Sequence, residues 1–159
     1  MAWLGPDERG YFCAPRTLPL LGSLLRSKEI SGKNDPSRVY VELLSRHMGE
    51  GVVEMTSEEE HAYAAGYQGA THALRSWREG MRILGDAGFI KSKAKGNLSY
   101  GTVLLVHPAV AVARLHKDKR IPERWWTTYR NRQIEVKEPS GEELQAERGP
   151  KRAMRKKGA

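Results

Sequence analysis

The side chains of this chain that can do chemistry are arginines and lysines at regular spacing, rather than a set of acids, bases or nucleophiles. Leu74, Trp77, Met81 and Leu84 recur in steps of three and four, so in a helix over 68–87 they share one face, which is a core face. Opposite them fall Thr71, His72, Arg75, Glu79 and Arg82, with Arg78 near the boundary. A guanidinium is a planar fork that takes a guanine edge or a phosphate in two hydrogen bonds. Gln68, Thr71, His72 and Arg75 stand nearest the start of the helix, where side chains entering a duplex groove reach base edges. Arg78 and Arg82 lie further along and suit phosphate. A plain solvated face has the same composition, and His72 reads equally well as an exposed histidine of no special role. Glu79 favours local pairing with Arg75 or Arg82.

Catalytic spacings are missing from the sequence. His47, His61, His72, His107 and His116 are scattered and form no HExxH pair. There is no phosphate loop, nucleophile elbow or dinucleotide fingerprint. Glu58, Glu59 and Glu60 read as acidity in a first helical turn, which complements the positive end of a helix. Cys13 is the single cysteine, so an intramolecular disulfide and a cysteine-built zinc site are both excluded. Neither an enzyme nor a bound cofactor is expected.

Charge points the same way. The 159 residues carry 27 Lys and Arg against 19 Asp and Glu, a formal charge of +8, and the pI is about 9.7. Such a balance attracts polyanions, although solubility alone also accounts for it. Hydrophobic residues at 39% and charged residues at 29% fit a polar surface over one core. No stretch approaches the roughly 20 apolar residues that cross a bilayer. The N-terminus lacks the pattern of a signal peptide. A cytoplasmic protein without a membrane partner is therefore expected.

The elements that must position the basic residues can be taken in order. Residues 1–15 read as an arm with little regular structure, and a helical segment with Leu18, Leu21, Leu24 and Leu25 on one side follows from Thr17 to about Gly32. Asp35 and Pro36 are a helix start, and Val39, Leu43 and Leu44 mark its apolar side. Gly51 to Met55 reads as a brief strand. Ser57 with Glu60 makes a capping box, and Gly66 and Gly69 permit a tight turn before the arginine-bearing helix. After Gly88, Lys91, Lys93 and Lys95 alternate with Ser92 and Ala94, which puts the three ammonium groups on one side of a strand. Gly96-Asn97 is a turn, and Leu98 to Val106 returns as an apolar strand.

In that order the stretch from Pro36 to Val106 resembles a winged helix-turn-helix DNA-binding domain. EEEHAYAAGY resembles its scaffold helix, QGATHALRSWREGMRILGDAGFI its recognition helix and following strand start, and KSKAKGNLSYG its wing. The resemblance implies an α+β fold, here with additional N-terminal and C-terminal helices. It implies double-stranded DNA as partner, in transcription or plasmid replication control. Gln68, Thr71, His72 and Arg75 become base-reading candidates, and Arg78, Arg82, Lys91, Lys93 and Lys95 phosphate contacts. Winged helices also serve as protein adaptors and RNA binders.

The remaining chain divides into an arm and helix (1–34), the central domain (35–107), a helical extension (108–134) and a polar, basic tail (135–159) ending without regular structure. A homodimer is expected, with Trp3, Leu21, Leu25, Trp125 and Trp126 as interface candidates. Aromatics are common anchors at interfaces, and Trp125 and Trp126 amid arginines also suit stacking on bases.

Overall fold

The computed structural model describes residues 10, 12–69 and 71–154, with side chains as far as Glu147. Among these, helices α1 (Leu18–Leu25), α2 (Lys28–Ser31) and α3 (Ser37–Arg46) precede strand β1 (Val52–Glu54). Helices α4 (Glu58–Ala64) and α5 (His72–Asp86) lead into strands β2 (Ile90–Lys95) and β3 (Leu98–Leu105). Helices α6 (Pro108–Lys117), α7 (Glu123–Val136) and α8 (Gly141–Met154) follow. The result is an α+β fold with a small open antiparallel sheet of order β1-β3-β2.

Local chemistry sets most boundaries. Asp35 Oδ1 accepts the Ser37 amide at 3.1 Å and starts α3. Ser57 Oγ accepts the Glu60 amide at 3.2 Å and starts α4, while its own proton turns to Glu59 Oε2. Gly69 has φ +98°, a conformation that a helix cannot continue through, so α5 begins at His72. Gln68 and Thr71, expected inside the helix, therefore lie in the turn and at the cap. The first helical segment, expected as one run, breaks at Ser27, which is extended (φ −70°, ψ 153°). Serine favours helix starts over helix interiors, and α2 begins after it.

The tail departs most from expectation. Helix α7 runs to Val136, and α8 follows where a polar tail, without regular structure at its end, was expected. Ser140 and Glu143 supply the reason. Ser140 Oγ accepts the Glu143 amide at 3.2 Å, and Glu143 Oε2 accepts the Ser140 amide at 2.7 Å. This reciprocal capping box satisfies two amides that a helix start otherwise leaves open. Gly141 then lets α8 lie directly on α6. A Cβ there would stand 2.5 Å from the Ala109 carbonyl oxygen and 2.8 Å from Ala113 Cβ.

One apolar cluster joins the flanking helices to the central elements. Leu21, Leu24 and Leu25 of α1 meet Val39, Tyr40 and Leu43 of α3, and Trp77, Met81 and Leu84 of α5. Phe89, Val103, Val112, Leu115 and Tyr129 complete it. Leu21 and Leu25 are both 0% exposed. Their burial is worth about 2 kcal/mol each to the fold, and it leaves them nothing to offer a second subunit.

Candidate nucleic-acid interface

The exposed side of α5 forms one wall of an open groove of about 930 Å³. Thr71, Arg75, Arg78 and Arg82 line it, together with Leu74, Glu79, Asn34 and Tyr100. The helical spacing brings the first four together because successive members stand three or four residues apart. Gln68 and His72 are exposed but do not line this groove. Gln68 borders the neighbouring hollow, beside Tyr63, Tyr67 and Leu74.

The three arginines have different freedom. Arg75 is exposed and has no ion-pair partner within 4.0 Å among the described residues. Arg82 is engaged inside its own helix. It donates to Glu79 Oε2 at 3.0 Å and Oε1 at 2.6 Å, and it also pairs with Asp86. The hydrogen bonds from Arg82 hold the Glu79 carboxyl below the usual carboxylate range. Of the two pairings expected for Glu79, the one with Arg82 forms.

Arg78 is the structural hinge of the groove. Its Nε donates to Glu58 Oε2 at 2.8 Å, and its Nη2 donates to the same oxygen. Glu58 Oε1 accepts the Tyr100 amide at 2.9 Å. One carboxylate, 1% exposed, thus ties the start of α4 to α5 and β3. The Tyr100 ring stands edge-on to Trp77 at 5.7 Å, and its hydroxyl donates to the Arg78 carbonyl at 3.4 Å. Burial, followed by the Glu58 charge, raises the Tyr100 hydroxyl pKa. Glu58 and Tyr100 are positions that build the groove and that the sequence did not single out. Glu58 has the form of first-turn acidity, and nothing in its spacing points to a partner 20 residues away. A second buried carboxylate backs the motif: Glu42 Oε2 lies 3.0 Å from His61 Nδ1, and Glu42 Oε1 accepts from Arg46 at 2.6 Å.

The hairpin lysines stand elsewhere. Val53 and Val103 face each other in the register, as do Ser92 and Val103, so these positions point to the core side. Lys91 pairs with Leu104 and Lys93 with Thr102, which are positions of the opposite face. Lys91 and Lys93 share one side, as their alternation requires, whereas Lys95 lies beyond a shift in the register. That side is the outer face of the sheet, turned from the core side on which α5 packs. Lys95, next to the turn, reaches Glu54 Oε2 at 3.4 Å. Between Lys93 and Lys95 the register shifts, and Gly101 fills the irregularity. A Cβ on Gly101 would sit 2.8 Å from the Lys95 amide nitrogen. Of the positive side expected to join Arg75, Arg78 and Arg82 with all three lysines, Lys91 and Lys93 are therefore turned away by the pleat.

Of the interface candidates, Leu21 and Leu25 are core. Trp126 stacks on His116 at 4.1 Å and Trp125 on Tyr129 at 5.1 Å, so both half-buried rings pack within the molecule. Trp3 lies outside the described residues. Among the described residues no group of three His, Cys, Asp or Glu side chains is placed to hold a metal. No described helix is long and apolar enough to cross a membrane. Comparison with known proteins yields no matching family model, no matching curated protein and no matching solved structure.

Proposed function

We propose that this chain is a winged helix-turn-helix protein that binds double-stranded DNA in transcription or plasmid replication control. The observation that carries the reading is the α5 groove, where exposed Thr71 and unpaired Arg75 lie side by side on one helical stripe. The order α3-β1-α4-α5-β2-β3 supports it, since it resembles that family's order of elements. In this reading the N-terminal half of α5 enters the major groove. Arg75 takes a guanine edge or an adjacent phosphate, and Thr71, Gln68 and His72 offer shorter contacts at the same end. Arg78 keeps its bond to Glu58 and presents its free edge to phosphate, and Lys95 approaches phosphate from the hairpin tip. Arg82 contributes least, because Glu79 and Asp86 already neutralise it.

Selection of duplexes from a random DNA pool, followed by binding measurements across salt concentrations, tests this. An enriched motif whose binding weakens more than tenfold in Arg75→Ala supports it. Sequence-blind binding unaffected by Arg75→Ala sinks it. A protein-adaptor reading draws on the hollow beside the groove, where Tyr63 is 74% exposed next to Tyr67 and Leu74. Retention of a protein partner by Arg75→Ala, together with its loss in Tyr63→Ala, would favour that reading.

A further inference from the structure

On the outer face of the sheet Val52, Glu54, Lys91, Lys93 and Leu104 are exposed, and the residues of this face fall into two rows fixed by the strand register. One row runs Glu54, Thr102, Lys93 from β1 across β3 to β2, and the next runs Val52, Leu104, Lys91. The β1 edge carries Glu54, and Glu50 and Glu60 border the same hollow as Glu54 and Val52, together with His61 and with Arg46, which pairs with Glu42. The β2 edge is basic. Exposed apolar side chains lie beside these charges, with Val52 on β1 at 37% and Leu104 on the central β3 at 43%. Thr102 Oγ1 holds the Glu54 carboxylate at 3.0 Å.

We infer that this face is self-complementary and docks on the same face of a second copy of the chain. A two-fold axis lying between the two faces, parallel to β3, lays each β1 edge over the β2 edge of the other copy. Along one row, Glu54 then meets Lys93 of the second copy, and Lys93 meets its Glu54. Along the next, Leu104 meets Leu104 of the second copy, and each Val52 lies under the aliphatic stem of a Lys91. Such an isologous contact forms every ion pair twice. The Lys95 pair with Glu54 is exposed and long at 3.4 Å, so it is worth little and yields readily to a closer partner. Three short strands make a patch at the small end of specific interfaces, so the dimer is weak and salt-sensitive. Lys91 and Lys93, which the groove does not gather, thereby gain a role. The inference does not rest on DNA binding, because it concerns the free protein.

Sedimentation equilibrium of the full chain, from about 10 µM to about 1 mM at low and high salt, tests it. The wild type is expected to dimerise reversibly and to dissociate as salt rises. Lys91→Glu/Lys93→Glu and Glu54→Lys are each expected to weaken self-association at least about tenfold while melting like the wild type. Mixed in equal amounts, the two variants are expected to form a heterodimer, since the swapped charges meet again. A wild type that stays monomeric across this range overturns the inference, as does a dimer indifferent to both reversals. A monomeric wild type whose DNA affinity falls with the lysine reversal would assign these lysines to phosphate instead.

Discussion

At the scale of single residues, Glu58 carries more of the groove than any arginine exposed in it. Replacing it by alanine strands the Arg78 guanidinium and leaves the Tyr100 amide without its acceptor. The half-exposed Arg78 regains some solvent, so the expected cost is about 2–3 kcal/mol, read by urea denaturation. An unchanged midpoint would mean that the three elements hold together without the carboxylate. Glu138 makes the opposite contribution. Burial pushes its carboxyl above the usual range, against the opposing hydrogen bond from Thr17. A raised acid favours the folded state only while protonated. That stability is present below the unfolded value of about 4.3 and lost as pH rises through the folded one. Glu138→Gln is therefore expected to melt higher than the wild type at pH 7 and to lose the advantage near pH 3.5. A difference independent of pH would show that the charge is not responsible. These tertiary pairings were not legible in the chain, because Thr17 and Glu138 lie 121 positions apart. Arg75 and Thr71 were legible, because a helix repeats on a scale visible in any short window.

At the scale of elements, patterns of period two and three to four identified α5, β2 and β3, and the pleat placed Lys91 and Lys93 on one side. Which way that side faces depends on which residues the core claims, and Ile90, Val53 and Val103 decide it. Helix α8 teaches a different lesson. Its Ser-x-x-Glu start was on view, but sparse apolar residues after Ile134 obscured it. The helix docks through the absence of a side chain at Gly141 rather than through an apolar stripe. Gly141→Ala is expected to push α8 from α6 at a cost of about 1–3 kcal/mol. Faster amide exchange in α8 and α6, with α5 unchanged, is the corresponding signature. Equal protection in the variant would mean that α6 accommodates the methyl group.

At the scale of the whole molecule, a charge of +8 is a blunt attractant, and the arrangement decides what it is used for. If Arg75, Arg78 and Lys95 each meet a phosphate, log affinity should fall with log salt at a slope of about −3 per protomer. Lys95→Ala should flatten that slope by about 1. A slope unaffected by Lys95→Ala would remove the hairpin tip from the contact.

The bond from the Tyr100 amide to Glu58 also makes that amide a clock. Its proton can be traded for deuterium only when β3 parts from the foot of α4, the same event that dismantles the groove. The lifetime of this single proton, followed alone and with a ligand present, would time how often the groove opens. It would also show whether an occupant slows that opening.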